Sequence, residues 1–159
     1  MGKRGADTMV SAVKGRPQAV LFACTLNAVR SPMAEALGRH YFGTQVYFSS
    51  AGVKRGEVDP FAIATLEEIG VDMTKHRPRI FDDLEDSCFD LVVTLSPEAH
   101  HKALEFTRTL AIDVAYWPTI DPTVVEGKRE RILDAYRNVR DGLIKRIEEL
   151  FDYRPMGNL

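Results

Sequence analysis

The chain has 159 residues and a formal net charge of −2, a length that fits one domain with a proper hydrophobic core. Hydrophobic residues make up 45% and charged residues 28%, an ordinary soluble composition. Neither figure carries a global signature of nucleic-acid or membrane binding, so any affinity for anions must be local. Only two cysteines are present, Cys24 and Cys88, which excludes a disulfide framework and points to a reducing compartment. Residues 1–17 carry Lys3, Arg4, Lys14 and Arg16 but no apolar run, so they read as a flexible tail rather than a signal peptide. No stretch reaches membrane-spanning length, and the expected location is the cytoplasm.

Strand-like and helix-like segments alternate from there on. Gln18 to Ala23 reads as a first strand, and Pro32 to Phe42 as an amphipathic helix. Gln45 to Ser50 alternates as a second strand. Pro60 to Ile69 follows as a helix with Asp59 as N-cap and Gly70 as its stop. Phe89 to Leu95 is a continuous apolar run, as expected of a strand covered on both faces. A helix from Ser96-Pro97-Glu98 to Phe106, a strand from Ile112 to Trp117 and a long helix from Glu126 to Phe151 complete the series. The alternation predicts parallel βαβ units: a three-layer α/β/α sandwich on a four-stranded parallel sheet, one domain over residues 18–152, with 153–159 as a C-terminal tail.

The chemistry concentrates in the segment from Cys24 to Ser31. An apolar run delivers a thiol to a short loop that closes on Arg30, Ser31 and Pro32 at the start of a helix. Helix N-termini carry unpaired N–H groups and positive potential, and successive loop N–H groups form a nest for a tetrahedral oxyanion. Pro32 suits the first helical turn, where its missing N–H costs nothing. Arg30 offers a planar fork that matches two phosphate oxygens. Cysteines in such settings are nucleophilic thiolates. Ser31 can act as N-cap or turn its hydroxyl toward the sulfur. A buried core cysteine is the common fate of a lone thiol, but arginine and serine at this spacing favour reactivity. The fold expectation agrees, because ligands of such sheets bind beyond the carboxyl ends of the strands.

The run Cys24-Thr25-Leu26-Asn27-Ala28-Val29-Arg30-Ser31-Pro32 resembles the signature of the low-molecular-weight protein tyrosine phosphatases. Further likeness runs through Ser50-Ala51-Gly52, Asp59-Pro60, His76-Arg77 and Asp121-Pro122. Thioredoxin-type arsenate reductases share the superfamily, and the stretch from Tyr116 to Asp141 looks closer to that branch. The resemblance implies a phosphatase-loop, Rossmann-like fold. It also implies a mechanism in which Cys24 forms a phosphocysteine and Arg30 holds the equatorial oxygens with the loop from Thr25 through Leu26, Asn27, Ala28 and Val29. Ser31 would donate to the thiolate, Asn27 would brace the loop, and Asp121 would protonate the leaving oxygen.

Three departures stand out. Leu26 occupies a position usually held by glycine, so it is expected to keep a negative φ. Val29 replaces a second loop cysteine. Thr123 stands where many eukaryotic members have tyrosine, which leaves Tyr116 or Trp117 to wall the substrate.

The leading expectation is therefore a phosphomonoester hydrolase acting on a phosphorylated protein or a small phosphomonoester. An arsenate reductase is the alternative. The family's relay cysteines follow the third strand, where this chain has Ser96 and His100, so a reductase would need an external thiol reductant. A non-hydrolytic phosphate-binding module is a third reading. Cys88 is read as a core residue, Asp59-Pro60 as a helix cap, the His76-to-Arg79 segment as a structural turn with a solvated basic edge that could also greet an anionic substrate, and His100-His101 as solvent-exposed. Lys54-Arg55 is expected near the site mouth. No metal-ligand cluster appears and no cofactor is expected.

Overall fold

The structure, a computed structural model, describes residues 16–84 and 88–151. Of the tails expected at residues 1–17 and 153–159, all but residues 16 and 17 lie outside the described residues. Four parallel strands, β1 (Ala19–Cys24), β2 (Tyr47–Gly52), β3 (Leu91–Thr94) and β4 (Asp113–Tyr116), form one sheet in the order β2-β1-β3-β4. They alternate with α1 (Arg30–Phe42), α2 (Pro60–Glu67), α3 (Pro97–Phe106) and α4 (Arg129–Leu150).

Strand periodicity builds the layers. Val20, Phe22 and Cys24 point to one face and pack with Met33 and Leu37 of α1 and with Tyr136, Leu143 and Ile147 of α4. Leu21 and Ala23 point to the other face and meet Ala99 and Ala103 of α3 with Phe81. A strand buried on both faces reads as an unbroken apolar run, which is how β1 and β3 appear in the sequence. The expected α/β/α sandwich on a parallel four-stranded sheet is the observed fold.

Boundaries shift where pairing or backbone sign dictates. β2 begins at Tyr47, two residues later than the alternation suggests. The N–H groups of Gln45 and Val46 both turn back to the Phe42 carbonyl before pairing with β1 begins at Ala19–Tyr47. α4 begins at Arg129 because Gly127 takes φ +125°, outside the helical region. Asp59 caps α2 as expected, accepting from the Phe61 N–H at 2.7 Å. Its second oxygen accepts from the Tyr136 hydroxyl at 2.7 Å, which ties α4 to the start of α2.

The chain leaves β1 toward β2 and later returns to β3 on the opposite side of β1. The carboxyl end of β1 is therefore the switch point of the sheet, and its last residue is Cys24. Among the described residues, no helix is long and apolar enough to cross a membrane.

Candidate active site

Residues 24–31 wrap from the end of β1 into the first turn of α1. Cys24 is 2% exposed, and its Sγ lies 2.9 Å from Ser31 Oγ and 3.4 Å from the Ser31 backbone N. Of the two orientations open to Ser31, the structure has the hydroxyl turned inward. The N-cap position falls on Val29, which makes no side-chain cap.

Asn27 holds the loop together. It has φ 55°, the one positive φ among the described non-glycine residues, a conformation that asparagine tolerates better than most. Its Nδ2 donates to Ser31 Oγ and to Ser50 Oγ, both at 2.9 Å, and its Oδ1 accepts from the Arg79 N–H at 2.9 Å. The amide is fully buried, so these partners replace water that it has lost. Leu26 keeps a negative φ and leaves its side chain exposed. Ala28 and Val29 are buried in the core under the loop. The Thr25 hydroxyl faces Ser96 Oγ at 3.0 Å and Glu98 Oε1 at 3.2 Å.

Arg30 and Asp121 meet across the mouth. Arg30 Nη1 donates to the Thr119 carbonyl at 3.0 Å, and Nη2 lies 4.0 Å from Asp121 Oδ2. Asp121 Oδ1 accepts from Thr123 N and Oγ1, capping a short 3-10 turn at Pro122–Val124. The bland and functional readings of Asp-Pro therefore coexist: one carboxylate oxygen caps the turn and the other faces Arg30. Lys54 reaches the loop through its backbone, whose N–H donates to the Thr25 carbonyl at 2.8 Å, while Arg55 pairs with Asp83.

Residues 19–153 match the family described as low molecular weight phosphotyrosine protein phosphatase. The chain belongs to this family. An arsenate reductase of Halalkalibacterium halodurans is 33% identical over 129 residues, covering 81% of this chain and 91% of that protein. A solved arsenate reductase in its phosphate-binding state superposes with a TM-score of 0.71 at 27% identity, covering 85% of this chain and 97% of its own. The low molecular weight protein tyrosine phosphatase from T. tengcongensis superposes at 0.70 with 25% identity, covering 86% and 99%. The protein is thus an enzyme of the low-molecular-weight phosphatase family, whose members handle phosphate or its analogue.

Several residues central to this site were read otherwise from the sequence. The His76-to-Arg79 segment is a structural turn as expected, but its basic edge is solvated only at Arg77. The His76 ring packs inward, its Nε2 is 3.0 Å from the Asn27 carbonyl and its Nδ1 is 3.8 Å from Glu35 Oε1. Arg79 turns in as well, its Nε donating to the Ser50 carbonyl at 3.0 Å and its Nη2 to Ser49 Oγ. Glu35, buried on α1, accepts from Ser50 Oγ and pairs with Arg39 at 2.6 Å. The sequence signal for this network is a glutamate on the apolar side of a helix.

Other readings also change. Trp117 is buried against Phe22 and is no substrate wall, whereas Tyr116 is partly exposed and stacks on His100 at 4.7 Å. His100 is held by Thr94 Oγ1 at 2.9 Å rather than solvated, and of this pair His101 alone is exposed. Cys88 is exposed rather than part of the core, because it precedes β3 instead of entering the strand.

Burial pulls the His76 ring below the usual histidine range, with the Asn27 carbonyl and Glu35 opposing that shift only in part. The unfolded chain then binds the proton more readily, so stability is full above about pH 6.5 and falls as pH drops below it. His76→Gln is expected to flatten that part of a Tm-against-pH curve. A mutant curve parallel to the wild type between pH 7 and 5 would exclude this origin.

Gly52 lies against the same loop. A Cβ there would stand 2.7 Å from Asn27 N and 2.8 Å from the Lys54 carbonyl, both backbone atoms that cannot swing away. Gly52→Ala should therefore cost about 1–3 kcal/mol in denaturant unfolding by overpacking, and should weaken oxyanion binding through the displaced loop. Unchanged stability and unchanged phosphate affinity together would refute this.

Proposed function

We propose that the protein is a phosphomonoester hydrolase of the protein tyrosine phosphatase type, working through a phosphocysteine on Cys24. Its carrying observation is the convergence at the carboxyl end of the sheet of a buried thiol hydrogen-bonded by Ser31, a guanidinium at the loop end and a carboxylate 4.0 Å from that guanidinium. In this reading the Cys24 sulfur attacks phosphorus and the P–O ester bond breaks. Asp121 gives its proton to the departing oxygen. Arg30 and the loop N–H groups bind the equatorial oxygens, where charge is concentrated in the transition state. A water molecule, giving a proton to Asp121, then displaces the sulfur and releases inorganic phosphate.

Leu26, Ile120 and Val124 carry exposed apolar side chains on the two segments that also bear Cys24 and Asp121. Such a rim favours a substrate with an organic body. A cysteine nucleophile suits the reducing cytoplasm, where we place the protein.

The relatives named arsenate reductase favour a second reading, in which the same sulfur attacks arsenate. Its redox half needs a second thiol. Cys88 precedes β3, whereas Cys24 closes β1, and the β1–β3 register sets Ala23 level with Thr94. The intervening strand spans about 13 Å, beyond the ~7 Å Cα limit for a disulfide. A reductase built on this chain would therefore depend on an external thiol.

The deciding experiment incubates pure protein with p-nitrophenyl phosphate, and separately with arsenate plus glutathione or thioredoxin. Phosphate release without arsenite is the expected result. Arsenite formation alone would install the second reading, and silence in both assays would leave a binding module.

A further inference from the structure

Behind the loop, a cleft of about 470 Å³ opens between α1 and residues 71–79, and none of Cys24, Arg30 or Asp121 lines it. Its volume falls within the range of small-molecule sites, about 300–1,000 Å³. In a chain whose net charge is −2, this cleft is basic. Arg39, Lys75, Arg77 and Arg79 line it, against Glu35 and Asp72. Arg39 is engaged with Glu35, and Lys75 lies beside Asp72. Arg79 spends its hydrogen bonds on a carbonyl and a hydroxyl, and no carboxylate among the described residues pairs with Arg77. Asp83, the carboxylate that Arg79 also influences, is already paired with Arg55, so two positive charges are left without a carboxylate of their own, which suits a dianion. Val71 and Met73 give the same cleft an apolar wall.

A chain of contacts also runs from the cleft to the sulfur. Arg39 holds Glu35, Glu35 accepts from Ser50, and Asn27 donates to both Ser50 and Ser31, whose hydroxyl touches Cys24 Sγ. An anion that draws Arg39 from Glu35 loosens the far end of that chain. We propose that the cleft binds a small organic phosphate dianion, and that its occupancy changes the reactivity of Cys24 through Arg39, Glu35, Ser50 and Asn27. The proposal is independent of whether the loop hydrolyses phosphate esters or reduces arsenate.

Calorimetric titration of the full chain at pH 8 with phenylphosphonate, and in parallel with sulfate, tests it. Wild type should bind two phenylphosphonates. Arg30→Met should lose the loop site and keep the cleft. Lys75→Ala/Arg77→Ala, two exposed positions, should keep the loop site and lose the cleft, with the ligand-free rate of Cys24 alkylation unchanged. In Arg30→Met, saturating phenylphosphonate should alter alkylation of Cys24 by iodoacetamide, resolved from Cys88 by peptide mass spectrometry, at least twofold.

A single wild-type site, unaffected by the Lys75/Arg77 pair, overturns the proposal even if Arg30→Met fails to fold. Sulfate binding the cleft as tightly as phenylphosphonate overturns the organic part. An alkylation rate indifferent to cleft occupancy overturns the coupling.

Discussion

Replacing Cys24 with serine is expected to lower phosphatase turnover by at least about 10⁴-fold, equivalent to roughly 5.4 kcal/mol of transition-state stabilisation. The reason is chemical rather than structural. A hydroxyl is a far weaker nucleophile than a thiolate, and nothing else in the loop can take over the attack on phosphorus. The oxyanion cradle should survive, because Arg30 keeps its hold on the Thr119 carbonyl and Asn27 keeps its partners. Phosphate affinity should therefore change little while turnover vanishes, a split that equilibrium binding and steady-state kinetics can read separately. Turnover above 1% of wild type would exclude Cys24 as the nucleophile. A parallel loss of phosphate affinity would instead point to a collapsed loop.

Asp121→Asn is expected to cost about 10²–10⁴ in kcat, the usual worth of a positioned general acid. Asparagine preserves the cap on Thr123, because its oxygen can accept from the same backbone N–H as Asp121 Oδ1. The variant should fold normally and bind phosphate at least as well, having lost a carboxylate near Arg30. The loss in kcat/KM, which reports the step that breaks the ester bond and not the hydrolysis of the shared phosphocysteine, should depend on the leaving group. An ester of a strongly acidic phenol such as p-nitrophenol departs with little proton assistance, whereas a tyrosine-like phenol needs it, so the penalty should be smaller for p-nitrophenyl phosphate than for phenyl phosphate. Equal penalties on both substrates would remove Asp121 from the acid role and leave it as the cap of the Pro122–Val124 turn.

Much of this molecule could be read from short stretches of chain. The alternation of strands and helices was legible because each element's pattern is local: an unbroken apolar run, buried on both faces, in β1 and β3, and apolar residues at helical spacing in α4. The loop was legible for the same reason, since Cys24, Arg30 and Ser31 are separated only by the turn they form. Leu26 illustrates a local constraint correctly drawn: a branched side chain avoids positive φ, and the strained position fell on Asn27 instead.

The support beneath the loop was not legible. Asn27 meets Ser50, His76 and Arg79, which lie 23, 49 and 52 residues away, and no pattern within one segment encodes those meetings. The edge of the His-Arg-Pro-Arg turn looked solvated because three of its four residues are basic. Its backbone in fact directs His76 and Arg79 inward and leaves Arg77 outside. Cys88 misled in the opposite direction, because the usual burial of cysteine says nothing about a residue just outside its strand.

The linear order of residues by itself determined the nucleophile-bearing loop, the α/β class and the family, since these depend on contacts between near neighbours along the chain. Only the tertiary structure decided which polar side chains stand behind that loop, and that Asp121 comes within 4.0 Å of Arg30. Those facts depend on how the sheet edges and the 71–79 segment pack together. Packing brings distant residues into contact through excluded water and matched hydrogen bonds, a requirement that no single stretch of sequence records.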